Sequence, residues 1–154
     1  MKNNFITRLL FGLVLCMFSM TIQAQTKTVN LGTVSNNVAT LTNQIGAVNV
    51  LKANLPANAN VSNVKFEYAQ SEAAYYLTGV VTNDAISSVG IKLNQDGSTL
   101  FAVAGPGVEI TCSGYNCASC RLNFKRWQPY CECTDTSKQT DTRCDMSSKV
   151  TIGL

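Results

Sequence analysis

Six of the seven cysteines in this chain lie in its last 43 residues, between Cys112 and Leu154. A segment that short buries too little apolar surface to hold a fold alone, so it needs covalent staples or a metal. Their order is Cys112-x4-Cys117-x2-Cys120-x10-Cys131-x-Cys133-x10-Cys144. Which chemistry they serve depends on the compartment, and that question turns on the other end of the chain.

Residues 1–24 have the layout of a secretory leader. Lys2 and Arg8 give a positive start, Leu9 to Phe18 is apolar apart from Gly12, and a more polar stretch ends in the small residue Ala24. Cleavage is expected after Ala24. The apolar run is too short for a transmembrane helix, which needs roughly 18 residues, and no later segment reaches that length. The mature chain is therefore expected to be exported, to a periplasm or the extracellular space, with no membrane span after cleavage. Thiols pair in such compartments.

Charge excludes one class of partner. Removing Lys2 and Arg8 from the 12 basic residues leaves 10 against 9 acidic ones, a net of +1. No basic stripe marks a nucleic-acid surface. The mature length suits one domain with an appended module, divided here into an α+β domain over 25–111 and a Cys-rich, loop-rich module over 112–154.

After a polar lead-in (25–34) with some strand character at Val29 and Leu31, residues Val38, Leu41, Ile45, Val48 and Leu51 recur at helical spacing. They predict a helix capped by Ser35 or Asn36 and ended near Asn54 by Pro56. The period then changes to two. Val64, Phe66 and Tyr68 read as one strand, Tyr75 to Val81 as a second, Val89 to Leu93 as a third and Leu100 to Val103 as a fourth, with Val108 and Ile110 extending the pattern. Asn83-Asp84 and Asp96-Gly97 are turn pairs that tolerate positive φ. The expected fold class is α+β, one N-terminal helix laid on an antiparallel meander of about four strands. That element order resembles the cystatin-like and PepSY-like group of small folds. The resemblance implies an extracytoplasmic binding or inhibitory module; it carries no family motif, the cystatin inhibitory loop included.

For the cysteines, three chemistries compete. Disulfides Cys112, Cys117, Cys120, Cys131, Cys133 and Cys144 form the first, favoured by the even count and by export. A Cys131–Cys133 bond would close a very tight ring, so these two should share a strand face and take different partners. The second is a zinc site on Cys117, Cys120, Cys131 and Cys133, with Cys112 and Cys144 left over. The third is a redox dithiol at Cys117 and Cys120.

Other catalytic chemistry has few candidates. The chain has no histidine, which removes Ser-His and Cys-His pairs and His-bound metals. The carboxylates are scattered, with no spacing that pairs an acid with a base. One segment has the composition of a contact surface: Arg121, Phe124, Lys125, Arg126, the only tryptophan Trp127, and Tyr130. These are hot-spot residue types on a stretch pinned by cysteines, though Phe124 and Trp127 would serve equally as the module's own core. The leading expectation is a non-enzymatic binding or inhibitory protein with no cofactor, acting on another protein or a surface component. A thiol oxidoreductase and a structural surface protein are the alternatives.

Overall fold

A computed structural model of the chain describes residues 27–53, 55–103, 107–117, 119–124, 128–134 and 142–151. The expected leader, with its expected cleavage point, lies outside them. Eleven strands, one α-helix and one 3-10 turn (Gln70–Glu72) make up the described part. The strands are β1 (Thr28–Ser35), β2 (Val38–Leu41), β3 (Asn60–Ala69), β4 (Ala74–Thr82), β5 (Ile86–Lys92), β6 (Asn94–Asp96), β7 (Thr99–Val103), β8 (Gly107–Tyr115), β9 (Cys120–Asn123), β10 (Tyr130–Cys133) and β11 (Arg143–Thr151). The helix, α1, spans Gln44–Lys52.

This overturns the expectation of one helix on a four-stranded meander. The fold is predominantly antiparallel β. One sheet has the order β2-β1-β7-β6, a second the order β11-β8-β5-β4-β3, and β9 pairs with β10 as a separate hairpin. The period-two segments do form strands, but they divide between sheets: β7, with β6 on one side, pairs on the other with β1 (Val29↔Ala102, Asn30↔Phe101) rather than with β5 or β8. The lead-in, β1, lies inside this sheet between β2 and β7.

The expected helix fails over its first half for a local reason. Asn36 and Asn37 both hold positive φ, 50° and 63°, and Ser35 pairs with Val38 across them. Two consecutive positive-φ residues make the tight turn whose twist matches a hairpin, and asparagine adopts that conformation more readily than most residues. Val38 is thus a strand residue, 64% exposed, and Ile45 points to solvent as well. The helix begins later, at Asn43, whose side chain accepts a hydrogen bond from Gly46 N at 2.9 Å. Ala47 and Leu51, four residues apart, are the fully buried pair of α1.

The two large sheets and α1 enclose one core. Leu31 of β1 and Leu100 and Ala102 of β7 meet Leu77 and Val81 of β4, Val89 of β5, and Ala47 and Leu51 of the helix. The other face of the five-stranded sheet carries a smaller cluster, Ala69, Tyr76 and Ile110, covered by Leu122 and Phe124 from β9 and the residue after it. The result is three layers: four-stranded sheet, five-stranded sheet, hairpin. The boundary drawn between residues 111 and 112 falls inside β8, and β11 pairs with β8 over nine positions, Arg143↔Tyr115 to Thr151↔Gly107.

Candidate functional site

The third layer creates the site. Its hairpin is fastened by three disulfides: Cys112–Cys131, Cys117–Cys133 and Cys120–Cys144. The first ties β10 down to β8, the second closes the β8–β9 loop onto the end of β10, and the third ties β9 to β11. Cys131 and Cys133 stand two apart on β10 and take different partners. Cys117 and Cys120 are not bonded to each other, so the Cys-x-x-Cys spacing forms no redox couple of its own. The sulfurs converge as two groups, Cys112 with Cys120 and Cys131, and Cys117 with Cys133 and Cys144, each within 4.8 Å. The four cysteines named for zinc divide between these groups, and each of them is held in a disulfide rather than as a thiolate.

Non-covalent contacts hold the hairpin down as well. Leu122 N donates to Ser88 Oγ at 3.0 Å. Leu122 also fills the space left by the missing side chain of Gly90, where an added Cβ would collide with its Cδ2. The ring of Phe124 lies 4.8 Å from that of Tyr76, centroid to centroid, and Tyr76 is almost wholly buried. Phe124 is therefore an anchor of the hairpin on the five-stranded sheet, packed against Tyr76 of β4.

Between the hairpin and strand β3 the layers stand apart, leaving a cleft of about 1060 Å³. One wall is Lys65, Glu67 and Tyr68 of β3 with Gln70 and Ser71 of the following turn; the other is Arg121, Leu122, Asn123, Phe124, Glu132 and Thr134. The alternation of β3 explains its wall. Phe66 faces the main core, so Lys65 and Glu67 face the hairpin. A smaller recess of about 290 Å³ adjoins it, sharing Lys65, Arg121 and Leu122 and reaching Ser88 and Thr78.

Charges in the cleft are mixed and mostly engaged. Lys65 and Glu67 form an ion pair at 2.5 Å, and Asn123 Nδ2 donates to Glu132 Oε2 at 3.0 Å. Just beyond the wall, Glu72 accepts from Tyr76 Oη at 2.8 Å and from Lys92 Nζ at 2.6 Å. The bond from Lys92 holds the Glu72 carboxyl below its ordinary range, against the opposing effect of partial burial. Burial, and then the Glu72 carboxylate beside it, pushes the Tyr76 phenol well above its ordinary value. This trio pins the start of β4 to β5.

Of the surface expected from sequence, Arg121 and Phe124 line the cleft. Tyr130 stands on β10 opposite Asn123 and is not part of the lining. Lys125, Arg126 and Trp127 lie outside the described residues. The β3 wall was not legible in the sequence, where Lys65 and Glu67 read only as the polar side of a strand. Comparison with known proteins finds no matching family model, no matching curated protein and no matching solved structure. Among the described residues no helix is long and apolar enough to cross a membrane.

Proposed function

We propose that this chain is an exported, non-enzymatic binding protein, and that its docking site is the cleft between β3 and the disulfide-bonded hairpin. The observation that carries the reading is the cleft's construction. One wall belongs to the main sheet, the other to a layer clamped by three disulfides, so the opening is held at a set width. A site built on clamped elements loses little entropy when it is filled. Its lining mixes an arginine, a lysine, two carboxylates, two aromatic rings and amides, a composition suited to a polar protein segment or surface component rather than an apolar small molecule. Glu67 engages the Lys65 ammonium group and Glu132 accepts from the Asn123 amide, and without histidine the one serine in the lining, Ser71, has no imidazole base. Three disulfides and the leader-like N-terminus support export.

Arg121 supplies the test. It is exposed, stands on the hairpin wall and anchors no core contact, so Arg121→Glu should leave the fold and the three bridges intact. A photo-crosslinking residue placed at Asn123 in natively exported protein should trap a discrete partner. Excess unlabelled wild-type protein should compete that adduct away and the R121E protein should not. Equal competition by both proteins would remove the cleft as the docking site.

A further inference from the structure

Four strands end the two large sheets, and three of them are poor templates for another strand. β2 has four residues and β6 three. β3 is interrupted by a register shift between Ser62 and Lys65, with Asn63 at φ 50°, and interruptions of this kind blunt an edge. β11 differs. It runs nine residues with no shift in its pairing to β8, and no described residue pairs with its far edge. The bridge from Cys144 to Cys120 secures it to the hairpin. Met146 and Val150, on one face, are 48% and 66% exposed.

We propose that this edge is a self-association surface, at which a second copy of the chain adds its own β11 antiparallel, with Ser147 opposite Ser147 on the twofold axis. Charge selects both the occupant and the register. With Ser147 at the centre, Asp145 of each copy stands directly opposite Lys149 of the other, twice in the dimer. On the opposite face Met146 becomes a diagonal neighbour of the other copy's Val150, covering two exposed apolar side chains. Moving the centre to 146 sets Arg143 against Lys149, and moving it to 148 removes the Asp145–Lys149 pairing. Within one copy Asp145 is only loosely held, its Oδ2 lying 3.4 Å from Arg143 Nε with both side chains largely exposed. Lys149 faces Glu109 across β8, so the docked pair extends an alternating row of Glu109, Lys149 and Asp145. A lysine on an edge normally discourages pairing; here it meets a carboxylate.

The interface is isologous and joins two five-stranded sheets into one. Because β11 and β3 are at opposite ends of the sheet, the two clefts remain open on the same face. The inference does not depend on the cleft having a ligand.

The experiment is sedimentation equilibrium of the full exported chain with its disulfides intact. Wild-type protein is expected to be a dimer that weakens with added salt. Asp145→Lys and Lys149→Asp should each weaken it by about tenfold or more, since each turns two attractive pairs into two repulsive ones. An equimolar mixture of D145K and K149D should dimerise again, because the heterodimer restores both pairs. In wild-type protein, hydrogen exchange over residues 143–151 should slow as concentration rises. A monomer across the whole soluble range, single reversals without effect, a mixture that stays monomeric, or concentration-independent exchange in β11 would each overturn the proposal.

Discussion

A few single positions decide more than their neighbours do. Gly32 on β1 is one: an added Cβ would run into the carbonyl oxygen of Thr40 and crowd the ring of Phe66. The first obstacle is backbone, which cannot rotate away. Gly32→Ala should therefore cost about 3 kcal/mol, at the upper end of overpacking penalties, and lower the urea midpoint without changing the disulfides; a change within error would mean that β2 is free to yield. Glu72 is another. Its folded-state pKa is lowered, so the stabilisation is present above its ordinary value of 4.5 and is lost as the pH falls through the folded value. The pair is partly solvated, and its worth is below about 1 kcal/mol. Glu72→Gln should flatten the fall in urea midpoint between about pH 5 and pH 3; an unchanged acid limb would show that other carboxyls set it. Tyr76 acts at the alkaline end with the opposite sign. Its raised pKa means the unfolded chain sheds the proton first, so stability falls once the pH passes the ordinary tyrosine value of 10. Tyr76 should escape ionisation in absorbance titration until the protein unfolds.

At the scale of elements, the hairpin layer shows how covalent and packing terms divide. Each bridge closes a loop of modest length, with sequence separations of 19, 16 and 24, and on chain entropy alone each is worth about 3 kcal/mol. The bridges differ in what they replace. Cys112 is fully buried beneath the hairpin, whereas Cys117 and Cys133 are only half-buried. Paired substitution Cys112→Ala with Cys131→Ala should therefore destabilise more than Cys117→Ala with Cys133→Ala, because it adds a buried cavity to the lost crosslink. Chemical denaturation of the two double variants gives the order directly; the reverse order would place the main tether at the loop instead. Substitution must be made in pairs. Cys117 Sγ lies 3.8 Å from Cys144 Sγ, so a lone thiol left there would sit beside another disulfide and could exchange with it.

Seen as a whole, the molecule is a two-sheet body with a clamped third layer, and each layer was legible to a different degree. Alternation in Val64–Tyr68, Tyr75–Val81 and Val89–Leu93 was sufficient to find β3, β4 and β5, because a half-buried strand writes its period into the chain. The six cysteines clustered after residue 111, with a leader-like N-terminus at the other end of the chain, foretold disulfides, and the single residue between Cys131 and Cys133 foretold different partners for them. The apolar spacing from Val38 misled, since two residues three apart satisfy a helical template by chance while the Asn36-Asn37 turn was the stronger local signal. The cleft was half visible: Arg121 and Phe124 stood out by residue type, whereas Lys65, Glu67 and Gln70 did not.

Local chemistry, carried by near neighbours along the chain, thus determined that the protein would be rich in strands, where it would turn, and that its tail would be crosslinked. Only the tertiary structure decided which strand joins which sheet, which cysteines meet, and that β3 would face the hairpin across a gap. Those outcomes depend on contacts between residues far apart in sequence. The chain records its own pattern of burial, but it does not record which distant surface supplies that burial.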